Sequence, residues 1–143
     1  MISTNPYLQF NGNTEEAMNF YKFVFGGEFI IFQRYKDILG GEKMLVSDQE
    51  KIMHISLAIS KGITLMATDG LESMGRTAVF GNNFHIVINA ESEAEVDRIF
   101  PILAEQGKIE MPLNKTFFGS YFGMCKDKFG VYWMINYSYP QIQ

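Results

Sequence analysis

Two stretches of this chain, about half a chain apart, carry the same helix-start pattern. The first runs Asn5-Pro6-Tyr7-Leu8-Gln9-Phe10-Asn11-Gly12-Asn13-Thr14-Glu15-Glu16. The second runs Asn83-Phe84-His85-Ile86-Val87-Ile88-Asn89-Ala90-Glu91-Ser92-Glu93-Ala94-Glu95. Each reads as a short alternating strand leading straight into a capped amphipathic helix. The two share pattern more than identity. A strand–helix unit carried twice in 143 residues limits the fold to two small modules of like build. It also puts the expected site between the two copies.

The periodicities fill in each module. Asn13 with Glu16, and Ser92 with Glu95, have capping-box spacing. Ala17, Phe20, Tyr21 and Val24 share one face of the first predicted helix; Val96, Ile99, Phe100 and Leu103 share one face of the second. Gly26-Gly27 and Gly107 supply the stops, and Pro101 predicts a kink or restart. Strands are expected over 28–35, 52–60, 63–68, 84–90, 108–117, 121–126 and 131–138. A tight turn is expected at Lys61-Gly62, another at Asp127-Lys128-Phe129-Gly130, and a long loop over 36–50. The order is βαβββ twice. The expected class is α+β: one domain of two βαβββ modules around a cleft or open barrel, with module one about 1–70, a linker about 70–81 and module two about 82–143.

Composition bounds the partners. Apolar residues make up 47% and charged residues 20%, a balance that supports a packed core. The net charge is −4 with no basic run, which argues against nucleic acid. No apolar run approaches the ~20 residues of a membrane span, and the N-terminus has no signal-peptide pattern. The single cysteine, Cys125, allows no internal disulfide, so a reducing, cytoplasmic setting is expected. Aromatics at 15% and nine methionines fit either a well-filled core or a cavity with adaptable apolar walls.

The opening, from Asn5 through Ala17-Met18-Asn19-Phe20-Tyr21-Lys22 to Val24-Phe25-Gly26-Gly27-Glu28, and the ending Asp127-Lys128-Phe129-Gly130-Val131-Tyr132-Trp133-Met134-Ile135-Asn136 resemble the PhnB-like branch of the vicinal oxygen chelate superfamily. That superfamily holds glyoxalase I, bleomycin-resistance proteins and extradiol dioxygenases. The branch is often labelled 3-demethylubiquinone methyltransferase-like. The resemblance covers nearly the whole chain and is specific for the branch, not for a reaction. It implies two βαβββ modules and a homodimer. It also implies, for metal-dependent members, four His or Glu ligands on four strands around one divalent ion.

Matched residue by residue, that ligand set is incomplete here. His85 matches the family His of module two, and His54 stands where a Glu or His is expected. The first-strand place falls on Pro6 or Tyr7, with Gln9 and Asn11 following Tyr7 inward. The last-strand Glu is replaced by Met134, with Asn136 two residues on. Thioethers are poor ligands for hard divalent ions. Asp69, Glu110 or Asp127 could supply a carboxylate only if the fold brings one close. His54 and His85 are therefore core or cavity-lining histidines, a metal pair for Zn, Ni, Mn or Fe, or metal-free acid–base groups.

The expected cavity-lining set is Tyr7, Gln9, His54, Ser56, His85, Phe118, Tyr121, Met134 and Asn136. The run Phe117-Phe118-Gly119-Ser120-Tyr121-Phe122-Gly123 is either a rim that stacks on a flat substrate or core packing. Cys125 reads as a small buried residue, and Trp133 as core. Pro112 belongs at an edge or bulge. Lys115 is solvated or reaches an anionic substrate. There is no Walker loop, GxGxxG or GxSxG, and no glycine-rich loop that would serve a methyltransferase. Three functions follow. The first is binding of a small apolar or aromatic molecule in the cleft with an incomplete metal site. The second is a divalent-metal-dependent lyase, isomerase or dioxygenase with an altered ligand set. The third is a non-catalytic dimeric module.

Overall fold

The computed structural model describes residues 1–60 and 62–141; Lys61, half of the expected tight turn, lies outside the described residues, as do 142–143. The chain divides into two compact units, Met1–Val79 and Phe80–Gln143. The first contains β1 (Tyr7–Phe10), α1 (Thr14–Phe25), β2 (Glu28–Arg34), α2 (Val46–Gln49), β3 (Ile52–Ser60) and β4 (Ile63–Asp69). The second contains β5 (Ile86–Asn89), α3 (Glu93–Ala104), β6 (Lys108–Lys115), β7 (Ser120–Lys126) and β8 (Tyr132–Ser138).

Both units have one topology. The sheet orders are β1-β4-β3-β2 and β5-β8-β7-β6. In each, the first strand runs parallel to the last, and the other neighbours are antiparallel. The first two strands of a unit thus lie at opposite edges of its sheet. The helix joining them has to cross one face, and within the unit that is the face it covers. The fold is α+β, two βαβββ modules with open sheets, as the periodicity implied.

Alternation sorts the side chains. In the first unit Leu8, Phe10, Ile55, Leu57, Leu65 and Ala67 are buried toward α1, which contributes Ala17, Met18, Tyr21 and Val24. In the second, Trp133, Ile135 and Cys125 are buried with Val96, Ile99, Phe100 and Leu103 of α3. Each unit has its own core on the helix side of its sheet. The opposite face stays open within the unit.

Three local expectations are corrected. The stretch 36–50 is not a plain loop. It forms 3₁₀ turns at Tyr35–Asp37 and Gly41–Lys43, and then α2. Asp48 is the anchor: it is buried, and its carboxylate accepts from Ser73 Oγ at 2.6 Å and Lys51 Nζ at 3.1 Å. Gly41 lets the coil close tightly, since a Cβ there would lie 2.0 Å from the Tyr35 carbonyl oxygen. Second, the Asn13 side chain makes no cap bond to α1. Asp69, from the end of β4, takes that role. Its Oδ1 accepts from Gly12 N, Thr14 N and Thr14 Oγ1, and its Oδ2 from Ile52 N. Third, β5 is shorter than expected, and His85 lies just before it.

The α3 cap and the place of Pro112 follow the sequence, whereas the restart expected at Pro101 does not occur. Ser92 Oγ accepts from Glu95 N at 3.1 Å, capping α3. The helix is continuous through Pro101. Pro112 sits on edge strand β6, where the register shifts between Met111 and Asn114, so the missing N–H breaks no regular ladder. The segment after β4 is held to the first unit as far as Ala78, whose N and O bond the Asn11 side chain.

Candidate functional site

The open face of the first sheet carries a chain of polar side chains. Tyr7 on β1 and His54 and Ser56 on β3 all point away from α1. Tyr7 Oη lies 3.0 Å from His54 Nδ1, and Ser56 Oγ lies 2.7 Å from His54 Nε2. Neutral imidazole has one donor and one acceptor nitrogen, so one hydroxyl donates to the ring while the other accepts from it. Burial is the main cause that pushes the Tyr7 phenol above its ordinary value; a hydrogen bond with Thr68 opposes it. Tyr7 is therefore a neutral phenol at physiological pH. Gln9 shares this face opposite Thr68, and its Nε2 packs over Gly70, where a Cβ would come within 2.4 Å.

The open face of the second sheet is built in rows. His85 Nε2 lies 2.8 Å from Glu110 Oε1, and the His85 ring meets Tyr132 edge-on at 5.3 Å. Glu110 sits on β6 and His85 precedes β5, the opposite edges of the sheet. A flat sheet would separate those strands by about 14 Å, so the pair bridges the face. The next row is apolar. Register places Val87, Met134, Met124 and Met111 side by side on β5, β8, β7 and β6. Beyond it Asn136 Nδ2 donates to Asn89 Oδ1 at 3.2 Å and to Ser138 Oγ at 3.1 Å. A methionine floor thus lies between a charged row and an amide row.

Tyr7, Gln9, His54 and Ser56 fall on one open face, and His85, Met134 and Asn136 on the other. Two expected residues stand apart. Tyr121 points to the helix side, where its hydroxyl donates to Asp97 Oδ1 at 2.6 Å. Phe118 is in the β6–β7 turn, exposed, with its ring against Phe117. Val87, Met111, Met124 and Tyr132 were missed by sequence reasoning. The alternation of β8 hints at Tyr132, but only strand register brings the other three beside Met134.

The metal expectation can be tested on the donors present. Among the described residues, no group of three or more His, Cys, Asp or Glu side chains could hold a metal ion. Both ring nitrogens of His54 have hydroxyl partners. Of the three spare carboxylates, Asp69 is consumed by four hydrogen bonds and Asp127 by three. Glu110 alone reaches a histidine. Neither unit by itself fits the three protein ligands of a catalytic zinc site or an iron facial triad. Cys125 is fully buried, and burial, then the charges of Asp127 and Glu110, push its thiol up to about 12. It is an inert core residue.

The family model described as 3-demethylubiquinone-9 3-methyltransferase matches residues 3–136. The chain belongs to this PhnB-like family. Protein YjdN of Escherichia coli K12 is 33% identical over 144 residues, 92% of each chain. Protein PA1353 of Pseudomonas aeruginosa is 34% identical, covers 98% of this chain and 100% of its own, and superposes with a TM-score of 0.85. A Bacillus cereus PhnB protein, titled a putative 3-demethylubiquinone-9 3-methyltransferase, is 29% identical over 96% of this chain and 100% of its own, at TM-score 0.76. The fold, though little of the sequence, is shared with a glyoxalase/bleomycin resistance protein/dioxygenase family enzyme of Burkholderia phytofirmans. That enzyme is 14% identical over 94% of this chain and 99% of its own, at TM-score 0.60. At that identity the likeness shows a shared fold.

Proposed function

We propose that the protein binds a small apolar or aromatic molecule against the open face of its second sheet, without a complete metal site. The observation that carries this reading is the row Val87, Met134, Met124 and Met111, flanked by polar groups. Methionine side chains adapt to irregular ligands and favour contact with aromatic rings. A few hydrogen-bonding groups beside an apolar floor are what a ligand site uses to fix orientation. Methyl transfer is not the reading favoured. Two small mixed sheets offer no glycine-rich loop after a parallel strand to cradle a nucleotide-like cofactor.

A panel of flat aromatic and antibiotic-like compounds, screened by thermal shift and followed by calorimetry, tests the proposal. A saturable ligand should raise Tm. Met124→Gln with Met134→Gln should weaken it about tenfold by polarising the floor. Asn136→Ala should weaken it only about threefold. If no compound binds, or the double variant binds like the wild type, the proposal fails.

A metal-dependent lyase, isomerase or dioxygenase is the second reading. One observation favours it: Glu110 puts a carboxylate beside His85, where the family pattern lacks one. Elemental mass spectrometry after loading with Zn, Ni, Mn or Fe(II) separates the two readings. About one ion per chain, lost in His85→Ala and in Glu110→Gln, would replace the first with the second.

The reading includes a cytoplasmic homodimer. No helix among the described residues is long and apolar enough to cross a membrane. Edge strand β2 leaves Ile30, Ile31 and Phe32 exposed, which is apolar surface a second copy would cover. A single-chain mass in light scattering would overturn the dimer.

A further inference from the structure

At one end of the second sheet, where β6 begins and β7 ends, Lys108 and Lys126 are direct register partners. Like charges placed opposite each other on an antiparallel pair repel. Lys128, in the turn that follows, joins them around a depression of about 440 Å³. Gln106, Gly107, Asp127, Phe129 and Gly130 complete its walls. A Cβ at Gly107 would lie 2.1 Å from the Lys126 carbonyl oxygen, so backbone closes on backbone here and holds the two lysines together. The acid within this turn, Asp127, is buried, with its carboxylate accepting from Phe129 N, Val131 N and Trp133 Nε1. Glu110, two residues from Lys108, is turned to His85. The chain as a whole carries −4, yet three lysines line this one depression; Lys126 Nζ lies over the Tyr132 ring and Lys128 Nζ over the Phe129 ring.

We propose that this depression binds a small anion of the phosphate type, with Lys108, Lys126 and Lys128 as its charge partners. Lysine serves phosphate as a compact point charge that needs no fixed fork geometry. An anion seated between Lys108 and Lys126 turns their mutual repulsion into a shared attraction. The site is independent of the methionine floor and stands whether or not an aromatic ligand binds there.

The test is a titration of the full-length protein with inorganic phosphate, followed by amide NMR, with sodium chloride at matched ionic strength as control. Saturable shifts centred on Gly107, Lys108, Lys126 and Lys128 are expected with phosphate and not with chloride. Lys108→Gln with Lys126→Gln should weaken binding about tenfold or more, while Lys115→Gln leaves it unchanged. Lys108→Glu should abolish binding and raise the Tm of the free protein, because it replaces a repulsive cross-strand pair with an attractive one. Linear, chloride-like shifts, or unchanged binding in the double variant, would overturn the proposal.

Discussion

Asp127 ties the turn into β8 to the core of the second unit. Its Oδ1 accepts from Phe129 N at 2.8 Å and Val131 N at 3.0 Å, closing the turn into β8. Its Oδ2 accepts from Trp133 Nε1 at 2.8 Å, so the largest core side chain is satisfied by the same group. Asp127→Asn keeps the shape but turns an amide donor toward an N–H and removes the charge. The expected cost is about 3 kcal/mol, from a buried donor left unpaired and weakened charge-assisted bonds. Urea unfolding checks it, and a loss under about 1 kcal/mol would mean water replaces the lost acceptor. The sequence marks Asp127 as a turn residue. That its carboxylate also holds Trp133 was not legible, because the indole turns back across the turn.

At the scale of elements, two helices with similar start signals begin by different means. Ser92 caps α3 with its own hydroxyl, a local arrangement that sequence spacing encodes directly. The start of α1 is served instead by Asp69, more than fifty residues away in sequence, because parallel pairing brings the end of β4 beside the end of β1. The caps should therefore respond unequally. Ser92→Ala should cost about 1 kcal/mol. Asn13→Ala should change stability by less than about 0.5 kcal/mol, since no cap bond is lost. Asp69→Ala should cost about 3 kcal/mol or more, as four bonds are lost and buried N–H groups are stranded. Chemical denaturation of the three variants orders them, and an Asn13→Ala loss equal to that of Ser92→Ala would restore the capping box.

Across the whole molecule, acid is the condition under which Asp48 matters. Asp48 is held below its ordinary value of 3.8, first by the Ser73 hydroxyl and then by Lys51. A carboxylate depressed in the folded state stabilises the fold fully above its unfolded value and loses that contribution as pH falls through the folded one. Stability should therefore drop below about pH 4, where unfolded Asp takes up protons before the folded group does. Asp48→Asn should lose stability at pH 7 and show a shallower decline toward pH 3. Thermal unfolding at both pH values reads this out, and parallel pH curves for variant and wild type would remove Asp48 from the acid response.

Legible in the sequence were the two βαβββ modules, the α3 face, most of the α1 face (Met18 is buried while Phe20 is half-buried), the Asp127–Gly130 turn, the edge position of Pro112 and the burial of Trp133 and Cys125. All of these are set by alternation, helical spacing or backbone stereochemistry within a few residues. The sequence also set Tyr7, His54 and Ser56 among nine cavity-lining candidates; parity sorts faces within each strand, and the pairing of β4 with β1 and β3 brings the three together. Tertiary structure decided what parity leaves open. The register of β8 against β5 and β7 brings Val87, Met124 and Met111 beside Met134, and sheet order carries Glu110 to His85 from the far edge. Likewise, the pairing of β6 with β7 sets Lys108 against Lys126, and the parallel β1–β4 pair delivers Asp69 to α1. Each depends on which strand lies beside which, and at what offset. Those choices come from packing one sheet face against its helix, a long-range balance that no short window of sequence contains.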